Sequence, residues 1–151
     1  MSGRKYGLGR HRPDGEWVQA SRLLTVAGLF FRKGDVIAFS KAVEKAERKG
    51  LRYGVRLEPQ PDNPHDRQAI AVYGFAERSG LFKRKPGEWH IGFIPADLAA
   101  EITTELLSDG IPIAAELYSV FEGTDDFFDV KIIVLAPPGH GVKARSRRPR
   151  A

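Results

Sequence analysis

Apolar and polar positions alternate along much of the chain, and at two places they change to a repeat of three and four residues. "LRYGVRLEP" sets Leu51, Tyr53, Val55 and Leu57 on one side and Arg52, Arg56 and Glu58 on the other, as in a half-buried strand. "AIAVYGFA" continues this with Ile70 and Val72 inward, and "WHIGFIP" (Trp89 to Pro95) reads as a short strand. "LLTVAGLFF" (Leu23 to Phe31) is apolar at both parities, which predicts a strand buried on both faces. "IPIAAELYSVF" and "FFDVKIIVLAPP", joined across Glu122 to Asp126, predict a hairpin.

Two segments have helical spacing. In "GDVIAFSKAVEKAERKG", Val36, Phe39, Val43 and Ala46 form one apolar face, Asp35 is placed to cap the start and Gly50 to end the helix. Its charges Lys41, Glu44, Lys45, Glu47 and Arg48 read as a solvated face. "PADLAAEITTELLSDG" puts Leu98, Ile102 and Leu106 on one face and ends at Gly110. The order strand, helix, three strands, helix, two strands lacks the repeated βα alternation of a doubly wound fold. It predicts a mainly β protein with two helices, a small six-stranded barrel.

Length and composition narrow this to one soluble domain. A chain of 151 residues, 42% hydrophobic and 28% charged, suits a single globular core. With no cysteine, disulfides and thiolate metal sites are excluded and a reducing, cytoplasmic setting is expected, association with the nucleoid included. No apolar run approaches the roughly 20 residues that span a bilayer. Boundaries are expected at a flexible basic arm over residues 1–21, a folded domain over 22–137 and a disordered basic tail over 138–151. Lys143, Arg145, Arg147, Arg148 and Arg150 in that tail, with no acid, account for the whole formal net charge of +5. A basic tip at Lys83, Arg84 and Lys85 is expected in the loop over residues 76–88.

No P-loop, nucleophile elbow or other catalytic signature is present. The densest polar cluster is Asp62-Asn63-Pro64-His65-Asp66. Local physics reads it as a turn: Pro61 and Pro64 hold the preceding residues extended, and short polar side chains bond nearby backbone N–H groups. It also lies where two strands meet, a common place for a site, and consecutive Phe30 and Phe31 exceed what one strand face can bury. A metal site from His65, Asp66 and His90 is a weaker reading, since no fixed spacing enforces convergence.

Three fragments taken together are similar to one family. "VAGLFFR" (Val26 to Arg32), "RLEPQPDNPHDRQAIAVY" (Arg56 to Tyr73) and "HIGFIPADLAAEI" (His90 to Ile102) resemble, in order and spacing, the HIRAN domain. HIRAN domains occur fused to fork-remodelling helicase-like proteins and as stand-alone bacterial proteins, and the chain is similar to the stand-alone kind. The resemblance implies an OB-like barrel that captures the 3′-hydroxyl end of single-stranded DNA in repair or fork processing, with helicase or nuclease partners. It implies no cofactor, no chemistry of its own and no membrane partner. Carried over by position, Phe31 and His65 sandwich the terminal base, Asp66 accepts a hydrogen bond from the 3′-hydroxyl, Asn63 belongs to the same loop, and Phe93 lines the pocket. Phosphate contacts fall to Arg32, Lys33, Arg67 or the tail. The chain departs from the eukaryotic pattern at Phe30, where a basic residue is usual, and at His65, where a tyrosine is usual. Two other readings stay open: a metal-dependent hydrolase acting on nucleic acid or a phosphoanhydride, and a protein-interaction adaptor whose DNA pocket has decayed.

Overall fold

A computed structural model describes residues 2–5 (backbone only), 12–80, 85–124 and 127–146. The alternating segments form strands, and their apolar faces close over one continuous core. Strands β1 (Ser2–Lys5), β2 (Val18–Gln19) and β3 (Leu24–Thr25) are short; β4 (Tyr53–Pro59), β5 (Ile70–Ala76) and β6 (Gly87–Phe93) are longer. The last two, β7 (Ala114–Glu122) and β8 (Phe128–Ala136), form the expected hairpin. Three helices accompany them: α1 (Lys33–Lys49), α2 (Ala96–Glu105) and the short α3 (Val142–Ser146).

All pairing is antiparallel. One sheet is five-stranded, in the order β1-β7-β8-β2 with β3 also on β8; the other is β4-β5-β6. The class is the expected mainly β one, but the barrel is not closed. β4 lies beside β7 without joining a common ladder, so the two sheets adjoin there without forming one hydrogen-bonded cylinder. α1 covers β5 and β6 with Val36, Phe39, Val43 and Ala46, all buried as its periodicity requires. It ends at Gly50, which is left-handed at φ 68°, while Asp35 lies inside the first turn and makes no side-chain cap. Ile102 and Leu106 bring α2 and the turn after it into the same core. No described helix is long and apolar enough to cross a membrane.

Three expectations need correction. The stretch from Leu23 to Phe31 is not one buried strand. It pairs with β8 at Leu24 and Thr25, with one more bond from Val26 N–H to the Val130 carbonyl, bridges Phe93 through Ala27, and turns at Gly28 (φ 80°) into a 3₁₀ helix over Leu29–Arg32. Its unbroken apolar pattern reflects a strand that stops and a turn that presents Phe30 and Phe31 to solvent. The N-terminal segment contributes β1 against β7 and β2 against β8. The expected disordered tail contributes α3, whose Arg145 is buried to 7% exposure between the carboxylates of Glu101 and Glu105 and the carbonyls of Ala20 and His140. Lys83, Arg84, Asp125, Asp126, Arg147, Arg148 and Arg150 lie outside the described residues.

Candidate nucleic-acid interface

The β4–β5 connection, residues 60–69, is held by its own polar side chains. Gln60 N–H donates to the Ala69 carbonyl at 2.8 Å, closing the loop at its base. Asn63 sits at the centre: its Oδ1 accepts from the N–H groups of His65 (2.9 Å) and Asp66 (3.2 Å), while its Nδ2 donates to Gln60 Oε1 at 2.9 Å. Asp66 Oδ1 accepts from Gln68 N–H at 2.8 Å. The turn reading of this segment therefore holds, and it leaves chemistry over. Asp66 Oδ2 has no hydrogen bond among the described residues, and His65 is exposed.

The 3₁₀ turn docks at the same end of the β4-β5-β6 sheet as this loop. Ala27 and Phe93 exchange backbone bonds, N–H to carbonyl at 2.8 and 2.9 Å, and Phe93 is in register with Ala71, one residue beyond the loop's return. Phe31 stands 88% exposed on that turn and Phe30 60%, the two rings edge to face with centroids 5.8 Å apart. The Arg32 guanidinium lies 5.7 Å from the Phe93 ring centroid. Thus Phe31 and Arg32 from the turn, Phe93 from β6, and Asn63, His65 and Asp66 from the loop all belong to one end of one sheet. His90 belongs to a different row. Among the described residues no three His, Asp or Glu side chains come together in a metal-holding group, which removes the geometric basis for the His65, Asp66 and His90 metal reading.

The sequence pattern did not reveal the side-chain row behind Phe93. Arg56, Tyr73 and His90 are register partners across β4, β5 and β6. The Arg56 guanidinium lies 4.3 Å from the Tyr73 ring centroid, Tyr73 stacks on His90 at 4.8 Å and 19°, and His90 meets Phe93 edge-on at 4.9 Å. A β-bulge at Val72/Tyr73 makes this possible. Three residues apart on a regular strand, His90 and Phe93 would point to opposite faces. Glu88 holds Arg56 over the ring through two bonds of 3.0 Å, with Glu58 at 3.4 Å. The hydrogen bond from Arg56 keeps the Glu88 carboxyl below its ordinary range, and the same pair raises Arg56. Burial, and then Glu58, pushes the Tyr73 phenol up. Burial and the Arg32 charge push His90 down, opposed by its bond to the Gly92 carbonyl at 3.0 Å and by Asp35 and Glu58. The row is a stacked buttress that fixes the ring of Phe93 and, through it, Arg32.

An exposed aromatic at the same end of a sheet as a braced carboxylate and a cation is suited to stacking a base and bonding a sugar or phosphate. Comparison with curated proteins and with solved structures returned no match. A family model of the HIRAN domain matches residues 26–127, which contain the turn, the loop and the whole β4-β5-β6 sheet. The chain therefore belongs to the HIRAN domain family, a family of DNA-binding modules, and nucleic acid is its class of ligand.

Proposed function

We propose that this protein captures the 3′-hydroxyl end of single-stranded DNA, in repair or replication-fork processing, as a binding module. The carrying observation is Phe31. Fully burying such a side chain stabilises a protein by about 1.5–3 kcal/mol, yet here the ring projects from a 3₁₀ turn at 88% exposure. That arrangement serves a partner surface, not the fold. Phe31 and His65 stack on the two faces of the terminal base. Asp66 Oδ2, left open while Oδ1 is tied to Gln68, accepts from the 3′-hydroxyl. Arg32, steadied on Phe93, faces the phosphate.

A hydroxyl donates a hydrogen bond and a terminal phosphate does not. Two like charges about 4 Å apart repel by about 1 kcal/mol in water and about 4 kcal/mol at a protein surface, so Asp66 discriminates against a 3′-phosphate. The test is fluorescence anisotropy with short 5′-labelled strands ending in 3′-hydroxyl or 3′-phosphate. The hydroxyl strand is expected to bind more tightly. Asp66→Asn, which retains an oxygen for Gln68 N–H, is expected to remove most of the difference, and Phe31→Ala to weaken both strands by about 1–3 kcal/mol per stacked base. Equal binding of the two ends by the unaltered protein would defeat the mechanism.

A further inference from the structure

The 3₁₀ turn that presents Phe31 runs directly into α1, and α1 is 17 residues long. At 1.5 Å per residue it extends about 25 Å away from the end-binding loop. The charges along it are sorted by flank. With 3.6 residues per turn, Lys41, Lys45 and Lys49 follow one another at steps of four within about 80° of the helix circumference, a flank whose other residues are Ala38 and Ala42. Glu47 lies away from this flank, while Glu44 and Arg48 border it on the far side of Lys41. The lysine flank opens at its far end into a recess of about 210 Å³ lined by Ala42, Lys45, Lys49, Arg78, Ser79 and Trp89, among others.

The cations of this stripe are not used by the fold. Lys41, Lys45 and Arg78 are exposed and make no hydrogen bond or ion pair among the described residues. Lys49 Nζ donates only to the neutral Ser79 hydroxyl, at 2.9 Å. The carboxylate in the recess, Glu77, is engaged by the Arg52 backbone N–H at 2.7 Å. Three lysines in a row along the helix, with Arg78 across the recess from the last two and the one carboxylate there already bonded, suit an anionic ligand that is itself linear.

We infer that Lys41, Lys45, Lys49 and Arg78 bind backbone phosphates of the strand whose 3′ end is held at Phe31, so that α1 is the rail along which that strand leaves the pocket. The inference rests on the end-capture reading for its polarity. A stacked strand rises about 3.4 Å per nucleotide, so about seven nucleotides cover α1. A short strand fills the end pocket alone, and a longer one gains the stripe.

The experiment is a length series of 3′-hydroxyl strands of about four and about twelve nucleotides, measured across a salt titration. It compares the unaltered protein with the quadruple variant Lys41→Ala, Lys45→Ala, Lys49→Ala and Arg78→Ala. All four positions are exposed, so unfolding is expected to be unchanged, as is usual for surface substitutions. Each phosphate contact on a single strand contributes about −0.7 to the slope of log K against log salt. Four contacts therefore make the longer strand lose about 50-fold more affinity than the short one between 50 and 200 mM salt. The variant is expected to abolish that length-dependent excess while keeping the affinity of the short strand and its preference for a hydroxyl end. A length gain that survives in the variant would overturn the inference. So would resonance shifts at Lys45 and Lys49 with inorganic phosphate or a nucleoside monophosphate but no length gain, which assigns the recess to a free phosphate compound. A polyglutamate peptide of matching charge that binds the stripe as tightly as the long strand would also overturn it, in favour of an acidic protein. Absence of end preference in the unaltered protein is a separate result that defeats end capture alone.

Discussion

Gly92→Ala is the sharpest way to separate the end pocket from the rest of the fold. Gly92 lies on β6 where the 3₁₀ turn is fastened to the sheet. A methyl group at this position would stand 2.2 Å from the Ala27 carbonyl oxygen and 2.7 Å from Val26 Cγ1. Ordinary carbon–oxygen contacts are about 3.3–3.6 Å, so the strand and the turn must separate by about 1 Å. The closer contact is with backbone, which cannot rotate away. The two bonds between Ala27 and Phe93, at 2.8 and 2.9 Å, are the first to lengthen. Overpacking of this kind costs about 1–3 kcal/mol, and each of the two weakened backbone bonds adds about 1 kcal/mol, giving a loss of about 3–5 kcal/mol. Urea unfolding measures it as a lowered midpoint at constant slope. Hydrogen exchange at Ala27 and Phe93 locates it, and the affinity for a short 3′-hydroxyl strand is expected to fall because Phe31 and Arg32 move with the turn. A loss below about 0.5 kcal/mol, with exchange at both amides unchanged, would refute the reasoning.

Three further outcomes follow from the same contacts. Asn63→Ala removes the acceptor for the His65 and Asp66 N–H groups and is expected to cost about 1–2 kcal/mol; 3′-end preference falls with it, and preserved preference in a two-dimensional binding and stability comparison would count against a braced loop. Arg145→Ala removes the bonds to Glu101, Glu105, Ala20 and His140; amides of Val142–Ser146 are expected to lose protection at a cost of about 2 kcal/mol, and undiminished protection would show that α3 docks by other means. Burial, and then Arg32, push the His90 pKa down in the fold, against the Gly92 carbonyl bond, Asp35 and Glu58. Its folded value lies below the unfolded one, so the unfolded chain binds more protons as acid is added. Stability is therefore fully present above the ordinary histidine range near 6.5 and declines as pH falls below it. His90→Gln is expected to flatten that decline, and identical acid profiles for the two proteins would exclude the effect.

Much of the fold was legible from periodicity, because burial on one face imposes it directly. Val36, Phe39, Val43 and Ala46 on α1, the alternation along β4 and β5, and the β7–β8 hairpin all stand as their spacing requires. The brace at Asn63 was legible too, since a short amide beside proline bonds its own backbone. Leu23 to Phe31 was misread because an apolar run carries no mark of where pairing stops; the left-handed Gly28 ends it. The lysines of α1 are exposed, as the solvated-face reading expects, while the recess that Lys45 and Lys49 share with Arg78 is not visible in the sequence.

By itself, the sequence determined which residues are apolar at which period, and so the strands, the helices and the chemical types gathered in the 62–66 loop. Tertiary structure decided which of them meet. The bulge that turns His90 and Phe93 to one face, the docking of Ala27 on Phe93, and the recess that gathers Lys45 and Lys49 with Arg78 depend on residues brought together across the chain. Contacts of that kind depend on register and packing distance, and a linear pattern of polarity encodes neither.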